Sequence, residues 1–182
     1  MEPTKLATLI YPIDKGANAV ILATQTRGPG VGYRFGYGGK IEDGEDADTC
    51  VCRETQDESG GAKDKTRGII IDKNDLERVA LIDFYKGENR PFGNPTFRVL
   101  CYRTFRWTGV AEKTDEMDDP KPFPIDTLFS GETKHEMKPG DELFVPQILA
   151  GTPVKGWVRF SEDSKTVLGH EILPCSLEDL VI

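Results

Sequence analysis

From Asp46 to Ser59 the chain carries neither proline nor glycine, and Gly60-Gly61 follows. That pattern predicts a helix with a glycine stop. At about 100° per residue, Glu54, Asp57 and Glu58 share one face. Ala47, Cys50 and Val51 fall on the same side as Glu54 and Glu58, while Thr49, Cys52 and Gln56 fall opposite. A helix that buries this apolar stripe must bury carboxylates with it. Like charges on neighbouring turns repel, and burying each costs roughly several kcal/mol unless something compensates. Arg53 can answer one of them. A divalent cation can answer more, and hard oxygen donors suit Mg²⁺ or Mn²⁺ rather than zinc. The competing reading is an ordinary solvated acidic face.

Glycines crowd the approach to this helix, at Gly28, Gly30, Gly32, Gly36 and Gly38. Gly38-Gly39-Lys40 would let the backbone come close to a ligand and offer a carbonyl as one more oxygen donor. A simple turn is the alternative reading of the pair.

Elsewhere the pattern is strands and turns. Lys5 to Tyr11 and Asn18 to Thr24 read as strands joined by PIDKGAN. Gly68 to Ile71 reads as a short strand. Leu76 to Lys86 and Thr96 to Trp107 read as longer ones, with GENRPFGNP between them. Glu112 to Pro122 reads as an acidic loop and Ile125 to Phe129 as a helical turn. Asp141 to Ala150 reads as a second helix, complicated by Pro146. Val154 to Phe160 and Thr166 to Ile172 read as a closing hairpin. Leu173 to Ile182 reads as a short helix or a packed arm. The helices are few and far apart, so the expected class is α+β with a mixed sheet rather than a doubly wound one.

At 182 residues the chain is expected to form one domain. Its first residues show no secretory pattern, and the apolar run Ala19 to Ala23 is far too short to cross a bilayer. Cys50, Cys52, Cys101 and Cys175 lack a zinc spacing and read as free thiols of a reducing cytoplasm. The formal charge of −8 disfavours nucleic acid as a partner. Carboxylates that gather cations can still hold phosphates. A monomer acting on a small molecule, away from membranes, is the expectation.

Gly39, Glu45, Arg53-Glu54, Asp57-Glu58 and Gly60 stand at the spacing G-x5-E-x7-R-E-U-x-E-E-x-G-U, where U is apolar. The chain therefore resembles the Nudix hydrolases. GYGGKIEDGE, TDEM (Thr114 to Met117) and EMKPGDELFVPQILAG followed by VKGWVRF are similar to the MutT-like branch that hydrolyses oxidised purine nucleoside triphosphates. The resemblance spans most of residues 4–172. It implies a mixed sheet sandwiched between helices (α/β/α), with a loop–helix–loop motif. It implies Mg²⁺, with Mn²⁺ as a substitute, held by the Gly38 carbonyl, Glu54 and Glu58, with Asp57 as an outer or alternative ligand. Arg53 would orient the helix carboxylates, and Glu116 would bind metal or act as base. Lys40 would meet phosphate. The implied reaction is attack of water on the diphosphate linkage, giving nucleoside monophosphate and pyrophosphate.

Several positions depart from the pattern. Thr55 and Gly61 stand where apolar residues are usual, which implies weaker helix packing. Asp57 is one methylene shorter than glutamate. On the base side, Phe35 replaces an asparagine, and Lys138-Pro139-Gly140-Asp141 replaces W-P-D-D. Phe35 would stack on a base or belong to the core. Asp141 would read the ligand or cap a helix. Lost hydrogen-bond partners weaken discrimination, so the base stays open. Other nucleoside diphosphate-linked substrates, an RNA 5′ end, and a binding module that no longer hydrolyses also stay open. A calcium loop is disfavoured because EDGEDAD lacks the EF-hand spacing.

Overall fold

The computed structural model describes residues 3–28, 30–87, 93–131 and 133–182. Strand β1 (Lys5–Asp14) lies at its centre and is buried throughout Ala7 to Ile13. A strand covered on both faces reads as a continuous apolar run. Side chains alternate across it. Ala7, Leu9, Tyr11 and Ile13 pack with Val145, Ile148 and Leu149 of helix α2 (Val145–Ala150). Ile10 packs on the other face with Ala47 and Val51 of helix α1 (Ala47–Gln56). A helix on each face of a mixed sheet is the layered arrangement expected from the sequence.

The remaining strands are β2 (Ala19–Gln25), β3 (Arg34–Phe35), β4 (Glu77–Lys86), β5 (Phe97–Thr104), β6 (Met117–Pro124), β7 (Val154–Phe160) and β8 (Val167–Pro174). They form one eight-stranded sheet in the order β3-β2-β1-β5-β4-β7-β8, with β6 paired to β2. The β1/β5 and β4/β7 pairs are parallel. The other pairs are antiparallel.

Four expectations need correction. The segment Glu112 to Pro122 is not all loop, because β6 begins at Met117. Its prolines concealed it, and β6 is paired to β2 along one side, where prolines are tolerated. Gly68 to Ile71 is not a strand but a single bridge, Ile70 to Thr108. The Ile69 N–H is taken by Ser59 Oγ at 2.6 Å instead of a neighbouring strand. The second helix is shorter than Asp141 to Ala150. A 3-10 turn over Asp141–Leu143 ends at Phe144, and α2 restarts with Pro146 in its first turn, where the missing N–H costs nothing. Strand β5 stops at Thr104, whose hydroxyl accepts from the Arg106 N–H at 3.3 Å and donates to the Asp75 carbonyl at 2.9 Å. The connection GENRPFGNP lies partly outside the described residues.

The C-terminal arm is tied down. Ser176 and Asp179 form a reciprocal cap on a 3-10 turn, and Leu180 is fully buried in the cluster beneath α1. All four cysteines are free thiols. Among the described residues no helix is long and apolar enough to cross a membrane.

Truncating Leu180 to alanine is expected to cost about 2–5 kcal/mol, the usual range for a fully buried leucine. Val181 is exposed, so Val181→Ala should change stability by no more than about 0.5 kcal/mol. Urea unfolding of both variants checks this, and equal effects would show that the arm does not belong to the core.

Candidate active site

The glycine loop is laid against the free edge of β1. Ile10 N–H donates to the Tyr37 carbonyl at 2.7 Å, and Tyr37 N–H returns a bond to Ile10 at 3.0 Å. Thr8 N–H donates to the Gly39 carbonyl at 2.8 Å, and Ile41 N–H to Leu6 at 3.0 Å. Between these anchors Gly38 has φ +148°, and a Cβ there would run into the Thr8 carbonyl. A Cβ at Gly39 would strike the Glu54 carboxyl. Gly38 therefore needs glycine, and a side chain at position 39 would displace the Glu54 carboxyl. With the loop pressed this close, the Gly38 N–H reaches Glu58 Oε2 at 2.9 Å. Among the described residues the Gly38 carbonyl accepts no hydrogen bond.

Helix α1 starts at Asp46, whose carboxylate accepts from the Thr49 N–H at 2.8 Å and the Thr49 hydroxyl at 2.7 Å. Ala47, Cys50, Val51 and Thr55 are buried. Thr55 is fully buried at the expected apolar position, and its hydroxyl is satisfied by donating to the Val51 carbonyl at 2.5 Å. Past Gln56 the chain widens into a π-helical turn over Asp57–Gly61, with Gly60 at φ +124°. Such turns recur at functional sites. Ser59 Oγ secures this one by donating to the Thr55 carbonyl at 2.6 Å. A Cβ at Gly61 would collide with Gln56 and the Arg67 carbonyl. The apolar residue usual at this position has no room here, so Gly61 does not weaken the packing.

The turn leaves Glu58 only 8% exposed. Burial pushes its carboxyl up to about 8, and the negative charges of Glu54 and Glu116 push the same way. The Gly38 N–H and Arg27 oppose the shift. Glu54 is also raised by burial, and Arg53 holds it down. Arg53 spans two carboxylates. It meets Glu45 at 2.8 and 2.9 Å and Glu54 at 2.9 Å. Glu45 is thereby held below the ordinary carboxylate range. Glu116 reaches the group from the start of β6 and pairs with Arg27. Thr114 fastens its turn, donating to the Glu58 carbonyl at 3.0 Å and accepting from the Glu116 N–H at 3.2 Å.

Gly38, Arg53, Glu54, Glu58 and Glu116 are thus neighbours. Asp57 lies beside Glu54 but pairs with Lys65. Lys40 is exposed at the mouth of the glycine loop. Arg27 and Thr114 escaped the sequence reading, for their only signal was their place beside the glycines and beside Glu116. Among the described residues no three Asp, Glu, His or Cys side chains converge as a ready cation cage. Each carboxylate is held by a donor of the protein instead. The donor chemistry still fits a divalent cation: oxygen throughout, one member raised by burial and then by like charge, and an unclaimed carbonyl.

The base-side residues lie beyond this cluster. Phe35 is half-buried and packs on the core shared with α2. Lys138 Nζ sits 4.7 Å from the centre of the Phe160 ring. Asp141 is 3% exposed, and its Oδ2 has no hydrogen-bond partner among the described residues. Burial raises its carboxyl, with Lys138 opposing. Asp141 does not cap the turn it begins. Gly140 holds the cap position at φ +94°, without a side-chain bond.

The charge on Glu58 sets a pH slope in the metal-free protein. The native group keeps its proton up to about pH 8, whereas an unfolded glutamate releases it near about 4.3. Between those values the native state binds the extra proton, so stability falls as pH rises. In urea titrations with chelator, wild type is expected to lose more stability between about pH 5 and pH 8 than Glu58→Gln does. Parallel slopes would show that Glu58 carries no such shift.

Comparison with known proteins agrees with this geometry. The NUDIX domain family profile matches residues 3–148. The oxidized purine nucleoside triphosphate hydrolase of Danio rerio is 29% identical over 175 residues, covering 95% of this chain and 93% of its own. Among solved structures, the mutator MutT protein of Bacillus halodurans superposes with a TM-score of 0.75 at 17% identity, over 94% of this chain and 99% of that one. The MutT NUDIX hydrolase of Burkholderia pseudomallei gives 0.60 at 17% identity, over 81% and 99%. A glycine loop fixed on β1, a carboxylate-bearing helix folded against it and a family match over most of the sequence lead to one assignment: this chain belongs to the NUDIX family.

Proposed function

We propose that this protein is a divalent-cation-dependent pyrophosphohydrolase that cleaves a nucleoside triphosphate to the monophosphate and pyrophosphate. The observation that carries the reading is the buried Glu58 carboxyl, held by the Gly38 N–H and flanked by Glu54 and Glu116. Mg²⁺ is the expected ion, with Mn²⁺ as a substitute, and the Gly38 carbonyl, Glu54, Glu58 and Glu116 would hold it, with Asp57 in an outer position. A cation bound there would neutralise phosphate charge and acidify a water molecule.

The chain's own groups account for the rest. Arg53 fixes the Glu54 carboxylate, so its direction does not depend on the ligand. Glu54, Glu58 or Glu116 would accept the proton of the attacking water. The new bond joins water oxygen to phosphorus, the P–O–P link breaks, and pyrophosphate leaves with the bridging oxygen. Lys40, exposed beside Gly39, offers its ammonium to phosphate. Free thiols support a reducing, cytoplasmic setting.

On the base side Phe35, Lys138 and Asp141 line the ligand. The similarity to the Danio rerio hydrolase supports an oxidised purine. Lys138 and Gly140 favour a second reading, a nucleotide whose base or attached group differs. A buried polar group such as Asp141 rejects ligands that leave it unpaired.

A panel of ordinary and oxidised nucleoside triphosphates with Mg²⁺ or Mn²⁺ is expected to yield monophosphate and pyrophosphate from at least one member. Glu58→Gln should lower that rate by about a hundredfold or more, the scale of general acid–base catalysis. No product above the Glu58→Gln control would defeat the hydrolase reading. Phe35→Asn should shift preference toward oxidised guanine nucleotides, and an unchanged ranking would remove Phe35 from the base pocket.

A further inference from the structure

Arg34 is the feature that the catalytic reading leaves unexplained. Its side chain is 10% exposed although it carries a full charge. Burial of that kind needs good partners. Arg34 Nη2 meets Asp119 Oδ2 at 2.8 Å, and Nη1 meets the Asp119 carbonyl at 3.0 Å. Nε donates to Glu136 Oε2 at 3.0 Å. The guanidinium lies 5.0 Å from the centre of the Phe123 ring, completing the enclosure.

Arg34 and its two ion-pair partners belong to three different segments. Arg34 is in β3, next to Phe35. Asp119 is in β6, three residues after Glu116, and its backbone takes the uncommon φ of +47°. Glu136 ends the 3-10 turn Thr133–Glu136, two residues before Lys138. The backbone adds a fourth tie, a parallel bridge from Arg34 to Met137. One planar fork therefore joins the strand of Phe35, the strand that follows Glu116, and the segment leading to Lys138 and Asp141. A lysine offers a single point charge and cannot make all three connections at once.

We infer that Arg34 is a positioning residue. It sets the distance between the hydrolytic side of the site, through the Asp119 strand, and the base side, through Phe35 and the Met137–Asp141 segment. Arg34 itself touches no reacting atom. The inference rests on the proposed hydrolase reading for its kinetic meaning, and on geometry alone for the coupling of the three segments.

The test compares wild type with Arg34→Met, Arg34→Lys and Glu136→Gln. Hydrogen exchange followed by mass spectrometry, without nucleotide, reads the coupling. Exchange in residues 137–143 should rise by about tenfold in Arg34→Met, the scale of a lost charged hydrogen bond, while residues 47–58 stay as in wild type. Glu136→Gln keeps an acceptor oxygen but removes the charge of one exposed arm, and should give a smaller rise of about threefold in the same residues. It keeps the question open to test if Arg34→Met does not fold.

With whichever nucleotide wild type cleaves, Arg34→Met should raise KM by about tenfold and leave kcat within about threefold. Arg34→Lys should recover part of the KM. Unchanged exchange in residues 137–143 in both Arg34→Met and Glu136→Gln would overturn the inference. So would kcat falling in step with melting temperature at constant KM, the mark of a purely structural residue. Should wild type cleave no nucleotide, the hydrolase reading fails, and the exchange comparison by itself decides whether Arg34 couples these segments.

Discussion

Glu58 is almost enclosed by the glycine loop, and a carboxylate in that position must be met by a donor or a cation. The structure supplies one backbone N–H, from Gly38. That bond needs the loop flat on β1, which needs glycine at Gly38, because the Thr8 carbonyl fills the space of a side chain, while a side chain at position 39 would displace the Glu54 carboxyl. It also needs the helix to widen at Asp57–Gly61, since the π turn carries Glu58 where the loop can reach it. Strand β1, the loop and the end of α1 are therefore placed by one another. A single misfit, such as a Cβ at Gly38, would disturb all three.

The site is held by an economy of charge that the sequence alone hides. Glu45 and Glu54 share Arg53, Glu116 has Arg27, and Asp57 has Lys65. These pairs are unequal. Arg27 and Glu116 are largely open to water, where an ion pair is worth about 0–1 kcal/mol. Arg53 and Glu45 are mostly sheltered and bidentate, so that pair is a fixed part of the frame. A cation entering the site would thus meet a rigid wall at Glu54 and a loosely held arm at Glu116. Glu58, with only an N–H for company, is the member whose charge calls most strongly for one.

The helix and its inward acids could be read from the sequence because their signals are local. Asp46, the glycine stop and the side-of-helix rule all act within a few turns. The strands beside β1 were equally plain, being short apolar runs between turn residues. The errors came where a distant partner decided. Strand β6 holds three prolines and looked like a loop, but β2 pairs with it on one side. Gly68 to Ile71 looked like a strand, but Ser59 had claimed the Ile69 N–H. Asp141 looked like a cap, yet Gly140 in a left-handed turn took that place and left the carboxyl buried. Arg27, Arg34 and Thr114 gave no signal, since each reaches the site through a residue more than fifty positions away.

The same division explains why the two halves of the site differ in what they disclose. The hydrolytic half is built mainly from one loop–helix–loop, so its spacing in sequence is its spacing in space, and with Thr55, Asp57 and Gly61 at the departing positions Glu54 and Glu58 still lie against the glycine loop. The base half has no such element. Phe35 comes from β3, and Lys138 and Asp141 come from a segment a hundred residues later that bridges back at Met137. Its shape depends on how those segments are fastened, and Arg34 is a fastening with no counterpart in the motif. On the proposed reading a ligand's base is selected by contacts among strands, and a change at Phe35 or Lys138 would act on specificity in the frame that Arg34, Asp119 and Glu136 hold.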